Sequence, residues 1–409
     1  MKSMIFLRVF IPFAIGYLLS YLLRVINSVI APSLINDLGL SASDLGLLTS
    51  ANLFAFAAFQ LPLGVLLDRY GPRKAESALL LIAAMGCAIF ALSGSLALLM
   101  LGRAMMGLGT SACLMAAFTA YALFLPKEKL PSINAYQMMA GGAGALLGTT
   151  PVELLDNAIG WRGVFWIAGG FAVFMSAVIY LAVPRRNESN ASQQTWAEAI
   201  GGVREVFTSR IFWRIAPICV VCQASFIGIQ SLWLGPWFHD VLEYDARETA
   251  DALFAVASAM IFGNLCVAWI AGYLSRRGVD AILIAVVGMS IFTIIQTLIV
   301  LGVIPPSLQG WMLWVFMATY ANVCYAGLTQ AFPTALAGRV LTGLNLLVFF
   351  AAFAVQWGVG VVIDFWPSSD GRFDPEGYTT AFAIISVIQI AALIWFVVFR
   401  PKVELESPR

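Results

Sequence analysis

Gly64-Val-Leu-Leu-Asp68-Arg69-Tyr-Gly71-Pro-Arg73-Lys74 is the stretch from which the fold can be read. It lies between two long apolar runs, and four of its eleven residues carry charges that cannot stay in hydrocarbon. It reads as a tight hairpin in water between two membrane helices. A weaker copy, Gly272-Tyr-Leu-Ser-Arg-Arg-Gly278, follows about two hundred residues later. A hairpin and its echo predict two halves built to one design.

Composition agrees with a membrane setting. The 409 residues are 61% apolar and 11% charged, with a mean hydropathy of +0.88. That is more apolar side chain than a soluble core encloses. Crossing about 30 Å of hydrocarbon takes about 20 apolar residues of helix. Twelve runs approach that length: 8–33, 45–67, 75–94, 96–124, 132–155, 162–183, 212–238, 249–273, 280–303, 308–331, 339–366 and 379–399. The short alternating segments of a β-barrel are not seen. The prediction is an all-α integral membrane protein of twelve transmembrane helices in two six-helix halves, 1–184 and 212–400. The longest polar stretch, 185–211, is read as a cytoplasmic linker between them, and 401–409 as a cytoplasmic tail.

Basic residues are retained on the cytoplasmic side of a membrane. With the N-terminus inside, 18 of the 23 Lys and Arg fall on that side, Arg162, Arg247 and Arg372 on the other, and Arg24 and Arg103 within spans. Both termini are therefore expected in the cytoplasm, in a multi-pass protein of the cell (inner) membrane. The first span lacks a small-residue cleavage site and reads as a helix, not a removable signal. The net charge of +1 gives no reason to expect a nucleic-acid partner. All six cysteines lie in apolar spans, Cys219-Val-Val-Cys222 included, where free Cys behaves as a small hydrophobe; neither a disulfide nor a metal site is expected.

Arg24 is the most informative single residue. It lies 16 residues beyond Arg8, about 24 Å along a helix. A charge that deep costs about 2.5–3.5 kcal/mol on insertion scales and should face a cavity or a partner. Tyr17, Tyr21, Arg24 and Ser28 follow by four, three and four, so they share a helix face. Two readings stand: an arginine packed against carbonyl groups, or one that binds an anion. Asn27 lies beside this face, and Gln137 lies in the fifth span.

Polar faces of the second half are uncharged. Gln223 and Gln230 are seven apart in the seventh span, close to Ser231 and Trp233; Asn322, Tyr325 and Thr329 are spaced by three and four in the tenth. Asn264 falls in the eighth span, and Asn345 and Gln356 in the eleventh. Each could join helices by hydrogen bonds; together they suggest the far wall of a cavity. Of the acids, only Glu153, Asp156 and Asp364 approach a span, each near an end, so the midplane is expected to hold positive charge and no carboxylate. The lone histidine, His239, beside Asp240, reads as an interfacial residue and not a ligand.

The spacing Gly64…Asp68-Arg69…Gly71-x-Arg73-Lys74 resembles the loop between the second and third helices of the major facilitator superfamily. Gly102-Arg103-Ala-Met-Met-Gly107-Leu-Gly109 resembles its fourth-helix signature, and the resemblance covers nearly the whole chain. More narrowly, Tyr21-x-x-Arg24-x-x-Asn27 followed by Ala31-Pro32 resembles the first helix of the organic-anion branch. The resemblance implies a secondary transporter, probable import of a small organic anion, two halves rocking about a central site, proton coupling as an option, a monomer, and no cofactor. It implies substrate contact by Arg24, with Tyr17, Tyr21, Asn27, Gln137, Gln230, Trp233, Asn322, Tyr325 and Asn345 as the remaining candidates. Gly64, Asp68, Arg69, Gly71, Arg73, Lys74 and Arg103 are the candidates for gating. In the family the arginine at the place of Arg103 is associated with proton coupling; a buried ion pair is the alternative here.

Efflux members usually place Gly directly before Pro in the fifth helix. Here Thr149 and Thr150 stand between Gly148 and Pro151, which lowers the reading as an exporter of amphipathic compounds. A transporter-like ligand sensor would need a larger cytoplasmic surface than the linker and tail offer. One histidine and dispersed acids assemble no catalytic set, so no enzyme is expected. No G-x-x-x-x-G-K-[ST] motif is present, so ATP drive is not indicated.

Overall fold

The computed structural model describes residues 2–126, 130–185, 201, 204–333, 336–367 and 372–399. Most of the expected linker and all of the tail 401–409 lie outside the described residues, as do Lys127, Arg186 and Arg400. The N-terminal set of helices is α1 (Lys2–Leu38), α2 (Ala42–Ala58), α3 (Gln60–Leu92), α4 (Leu96–Thr110), α5 (Cys113–Phe124), α6 (Leu130–Leu147) and α7 (Thr150–Ala182). The C-terminal set is α8 (Arg210–Gly228), α9 (Leu234–Val241), α10 (Ala246–Arg276), α11 (Ala281–Val300), α12 (Leu308–Ala318), α13 (Ala321–Gln330), α14 (Ala337–Ile363) and α15 (Pro375–Val398). A π-turn, Ile229–Trp233, joins α8 to α9.

Ten helices among the described residues are long and apolar enough to cross a membrane, not the twelve expected. The difference arises where helices merge or fall short. With 17 residues, α2 is too short to cross alone, and after a single turn residue, Phe59, the chain continues into α3. Similarly, α6 has 18 residues and leads through Gly148 and Thr149 into α7. Both α3 and α7 run for 33 residues, and each is broken at one glycine: Gly71 at φ 73°, ψ 163°, and Gly160 at φ 72°, ψ 161°. Only glycine enters that region readily. Pro72 then suits a fresh first turn, because its missing N–H and fixed φ cost nothing there. The expected hairpin is thus a one-residue break: Arg69, Tyr70 and Lys74 are exposed around it, while Gly71 and Pro72 are buried.

The copy at Gly272–Gly278 is built differently. There α10 ends outright, with Gly278 at φ 83°, its N–H on the Ser275 carbonyl at 2.9 Å and the Val279 N–H on the Leu274 carbonyl at 3.1 Å. That pattern is a glycine-terminated helix end.

The two sets meet along α2 and α14, which run antiparallel. Gly46 lies against Gln356, Phe54 against Phe350 and Phe56 against Phe349. At one end the contact is backbone to backbone: a Cβ at Gly46 would come within 2.8 Å of the Gln356 carbonyl oxygen, and one at Gly360 or Gly235 would collide with the carbonyl of Ala42 or Ser28. Polar contacts gather at this same end. Asp364 accepts from the N–H groups of Ala42 and Ser43, both at 2.9 Å. Ser28 donates to the Leu232 carbonyl at 3.1 Å and accepts from the Gly235 N–H at 3.1 Å. Thr150 donates to Asp251 at 2.8 Å, and Arg247 lies 3.6 Å from Glu153. At the other end, which carries the Gly71 break, a Cβ at Gly64 or Gly338 would meet nothing within 4 Å. The sets are closed on each other at the Asp364 end and parted at the Gly71 end.

Candidate functional site

Arg24 projects from the middle of α1 into the seam. Its guanidinium carbon lies 4.7 Å from the ring centre of Tyr21, 5.1 Å from that of Phe56 on α2 and 5.2 Å from that of Phe349 on α14. The two phenylalanines touch each other, with centroids 4.3 Å apart. One cation is therefore held by rings from both helix sets, each contact worth about 0.5–2 kcal/mol. Among the described residues Arg24 forms no ion pair and no hydrogen bond. Its five N–H donors are available to a ligand.

Around it, Tyr17 and Tyr21 meet edge to face at 5.2 Å, and Gly141 of α6 lets that helix press against both rings. Asn345 is half-buried one turn before Phe349, so it shares the face of α14 that reaches Arg24. Tyr325 of α13 is half-buried. Farther along, Gln223, Asn322 and Asn264 form an amide chain: Gln223 donates to Asn322 at 3.3 Å, and Asn322 donates to Asn264 at 2.9 Å. Asn322 and Asn264 are exposed.

Other candidates are occupied with packing. Asn27 donates to Thr49 at 2.8 Å, tying α1 to α2. Gln137 accepts from the Tyr121 hydroxyl at 2.7 Å and donates to the Phe13 carbonyl at 3.2 Å. Trp233 is fully buried and donates to the Gln356 carbonyl at 2.8 Å. Gln230 is buried in the π-turn, with no hydrogen bond among the described residues.

The gating candidates fall in two places. Gly64, Asp68, Arg69, Gly71, Arg73 and Lys74 cluster at the parted end, where Arg73 donates through Nε to the Tyr180 carbonyl at 2.6 Å and stacks 4.5 Å over the Tyr180 ring. Arg103 is fully buried in the N-terminal set. It donates through Nη1 to the Leu23 carbonyl at 2.9 Å and lies 5.7 Å and 5.9 Å from the rings of Phe90 and Phe165. No carboxylate pairs with it among the described residues, so the buried ion pair considered for it is not formed. His239 Nδ1 lies 2.7 Å from Asp240 at the closed end and lines a small cavity of about 250 Å³ with Pro32, Asn36 and Pro236.

The expectation of a span interior without carboxylates needs correction. Glu76, on α3, is fully buried, and neither of its oxygens has a hydrogen-bond partner. Glu76 stands two residues past Lys74, at the start of the third apolar run, 75–94, and the expectation leaves it out; the helix resumes immediately after Gly71 and carries it inside. Phe56 and Phe349 also escaped the sequence reading; an aromatic in an apolar run gives no sign of the cation it will face across the seam.

Comparison with known proteins bears on this arrangement. The family model of the Major Facilitator Superfamily matches residues 13–360. The probable sulfoacetate transporter SauU of Cupriavidus necator is 23% identical over 246 residues, 57% of each protein, so the alignment spans little more than half of that relative's length. A chloramphenicol resistance protein of Pseudomonas aeruginosa is 25% identical over 81% of this chain and 78% of its own. A solved bacterial homolog of the human lysosomal transporter Spinster, inward-facing and unoccupied, superposes with a TM-score of 0.76 at 17% identity, over 96% of both chains. With the fold shared and the family match covering most of the sequence, this chain belongs to the Major Facilitator Superfamily.

Proposed function

We propose that the protein is a secondary transporter that imports a small organic anion by alternating access. The observation that carries the reading is Arg24, a guanidinium among Tyr21, Phe56 and Phe349 at the seam of the two helix sets, with no carboxylate paired to it among the described residues. A cation kept in a cleft without a counter-charge favours an anionic ligand. Ring contacts use up none of the guanidinium N–H groups as hydrogen-bond donors, so these can meet carboxylate or sulfonate oxygens two at a time. The likeness to a probable sulfoacetate transporter supports the same substrate class. Tyr21, Tyr325 and Asn345 complete the pocket in this reading, while Asn27, Gln137 and Trp233 brace the helices that form it.

Twelve crossings follow if the chain is counted through its breaks. On that count α2 joins Gln60–Tyr70 as one span, Pro72–Leu92 is the next, and α6 with Thr150–Ile159 precedes Trp161–Ala182. Six crossings then stand on each side of the linker 185–211. The basic residues around Gly71 assign that end to the cytoplasm, with both termini. The conformation is then open inward and shut outward, and the charged turn around Gly71 would engage in the opposite state. The unit of transport is a monomer in the inner membrane.

Uptake of sulfoacetate and small carboxylates into liposomes containing the purified protein tests this. Arg24→Ala should abolish uptake while the protein stays folded, and Arg24→Lys should retain little, because a point charge does not replace a planar fork. Undiminished uptake by Arg24→Ala overturns the assignment. In detergent, an anion at a hundred times its Kd should stabilise the wild type by about 2.7 kcal/mol and the variant not at all. The likeness to a chloramphenicol resistance protein over most of the chain favours a second reading, export of amphipathic compounds. Stabilisation by dyes or cations alone would decide for it.

A further inference from the structure

Four acids at the span ends, Glu153, Asp156, Asp240 and Asp364, are committed to partners: Asp156 accepts from Ser33 and Asp240 from Tyr378, both at 2.6 Å. Glu153 faces Arg247 at 3.6 Å and accepts from Asn157 at 2.5 Å; Asp364 caps the first amides of α2. Glu76 is different. It is fully buried, no group meets its carboxyl oxygens in good hydrogen-bond geometry although the weakly donating Cys113 thiol lies close, and among the described residues no cation pairs with it. An ionised carboxylate is not stable in such a site, whereas a neutral acid is. The surroundings make room for this group specifically: Gly16 of α1 lies so close that a Cβ there would come within 2.6 Å of Glu76 Oε1. The titratable groups facing it are the Cys113 thiol and the Tyr121 hydroxyl, both from α5; α7 contributes Ile179.

We propose that Glu76 is the proton-carrying residue of this transporter, taking up one proton with each anion bound at Arg24. The inference rests on the anion-transport reading above. Its mechanical link is α1. Gly16 and Arg24 lie on that one helix, eight residues or about 12 Å apart. Movement of α1 as the anion binds therefore changes the space at Gly16 that keeps the carboxyl from water. When α1 and α3 part on one side, the Glu76 O–H bond breaks and water accepts the proton; on the other side water supplies one and the bond reforms. Carboxylate plus proton gives the neutral acid, so no other reactant is needed. A singly charged anion moving with this proton crosses without net charge.

The test uses liposomes containing the full chain and labelled sulfoacetate, with the membrane potential held at zero by potassium and valinomycin because one proton leaves this doubly charged anion with a net negative charge. With the outside more acid by one pH unit, the wild type should accumulate the anion up to about tenfold, since one pH unit is a tenfold proton ratio. Glu76→Gln should keep exchange of internal for external anion yet lose the accumulation, while Glu76→Asp should keep both. Accumulation by Glu76→Gln equal to wild type overturns the proposal and leaves the transporter reading intact. Absence of anion exchange in the wild type overturns both. If Glu76→Gln does not fold, the wild type gives the answer: dicyclohexylcarbodiimide, which attacks protonated carboxyls in apolar sites, should modify the peptide containing Glu76. No adduct there overturns the proposal.

Discussion

Replacing Asp364 by Asn should loosen the closed end. The Asp364 carboxylate terminates α14 and accepts from the Ala42 and Ser43 N–H groups at 2.9 Å each, two amides at the start of α2 that have no partner within their own helix. The amide of Asn offers one acceptor where the carboxylate offers two, and removes the full charge beside the positive end of α2. Charge at an exposed helix N-terminus is worth about 0.3–1 kcal/mol, and a hydrogen bond to a charged group about 1.5–3 kcal/mol before screening. Because Asp364 is exposed, the combined loss should be about 1–2 kcal/mol after discounting for solvent. That corresponds to about a 5- to 30-fold change in the ratio of open to closed at this end. The assay is the rate of maleimide labelling of Ser28→Cys, a position buried between α1 and the π-turn, in a Cys266→Ser background. With Asp364→Asn added the rate should rise by about that factor, while labelling of Gly338→Cys at the parted end should not rise. An unchanged rate at Ser28→Cys would refute the idea that Asp364 holds the end shut.

Gly71→Ala should cost about 1–3 kcal/mol, because φ 73° with ψ 163° is closed to a residue with a Cβ. Thermal denaturation in detergent checks this, with Gly64→Ala, which has open space around it, as the tolerated control; equal stability of Gly71→Ala and wild type would count against a required break. Tyr378→Phe removes the 2.6 Å bond to Asp240 and leaves that buried carboxylate to the Phe373 N–H and His239. The loss should be about 1.5–3 kcal/mol in the same measurement, and a variant as stable as wild type would show the bond contributes nothing.

What could be read from the sequence was local. Tyr17, Tyr21 and Arg24 share a face because helical periodicity requires it, and the four charges within Gly64–Lys74 mark an interruption between two apolar runs because they cannot stay in hydrocarbon. The length of the break is not legible: an eleven-residue stretch with four charges suggests a hairpin, yet a single glycine suffices, and Glu76, two residues past Lys74, is carried inside. Long-range partnership was also hidden. Nothing near Phe56 or Phe349 indicates that they meet over Arg24, and nothing near Gln137 or Trp233 says that their polar atoms are taken up by the Phe13 and Gln356 carbonyls. The polar residues of α8, α10 and α13 were recognised as a group, but only the fold shows that Gln223, Asn322 and Asn264 are linked in one chain.

Gly46, Gly235 and Gly360 close the Asp364 end by bringing backbone against backbone. A surface of that kind has almost no rotamers to freeze when it shuts and none to release when it opens, since glycine carries no side-chain entropy. It also presents little apolar side chain to be wetted. Opening and closing there can lie close in free energy, so that a bound ion or a single proton is enough to choose between them, and the swing is reversible without a large thermal penalty in either direction.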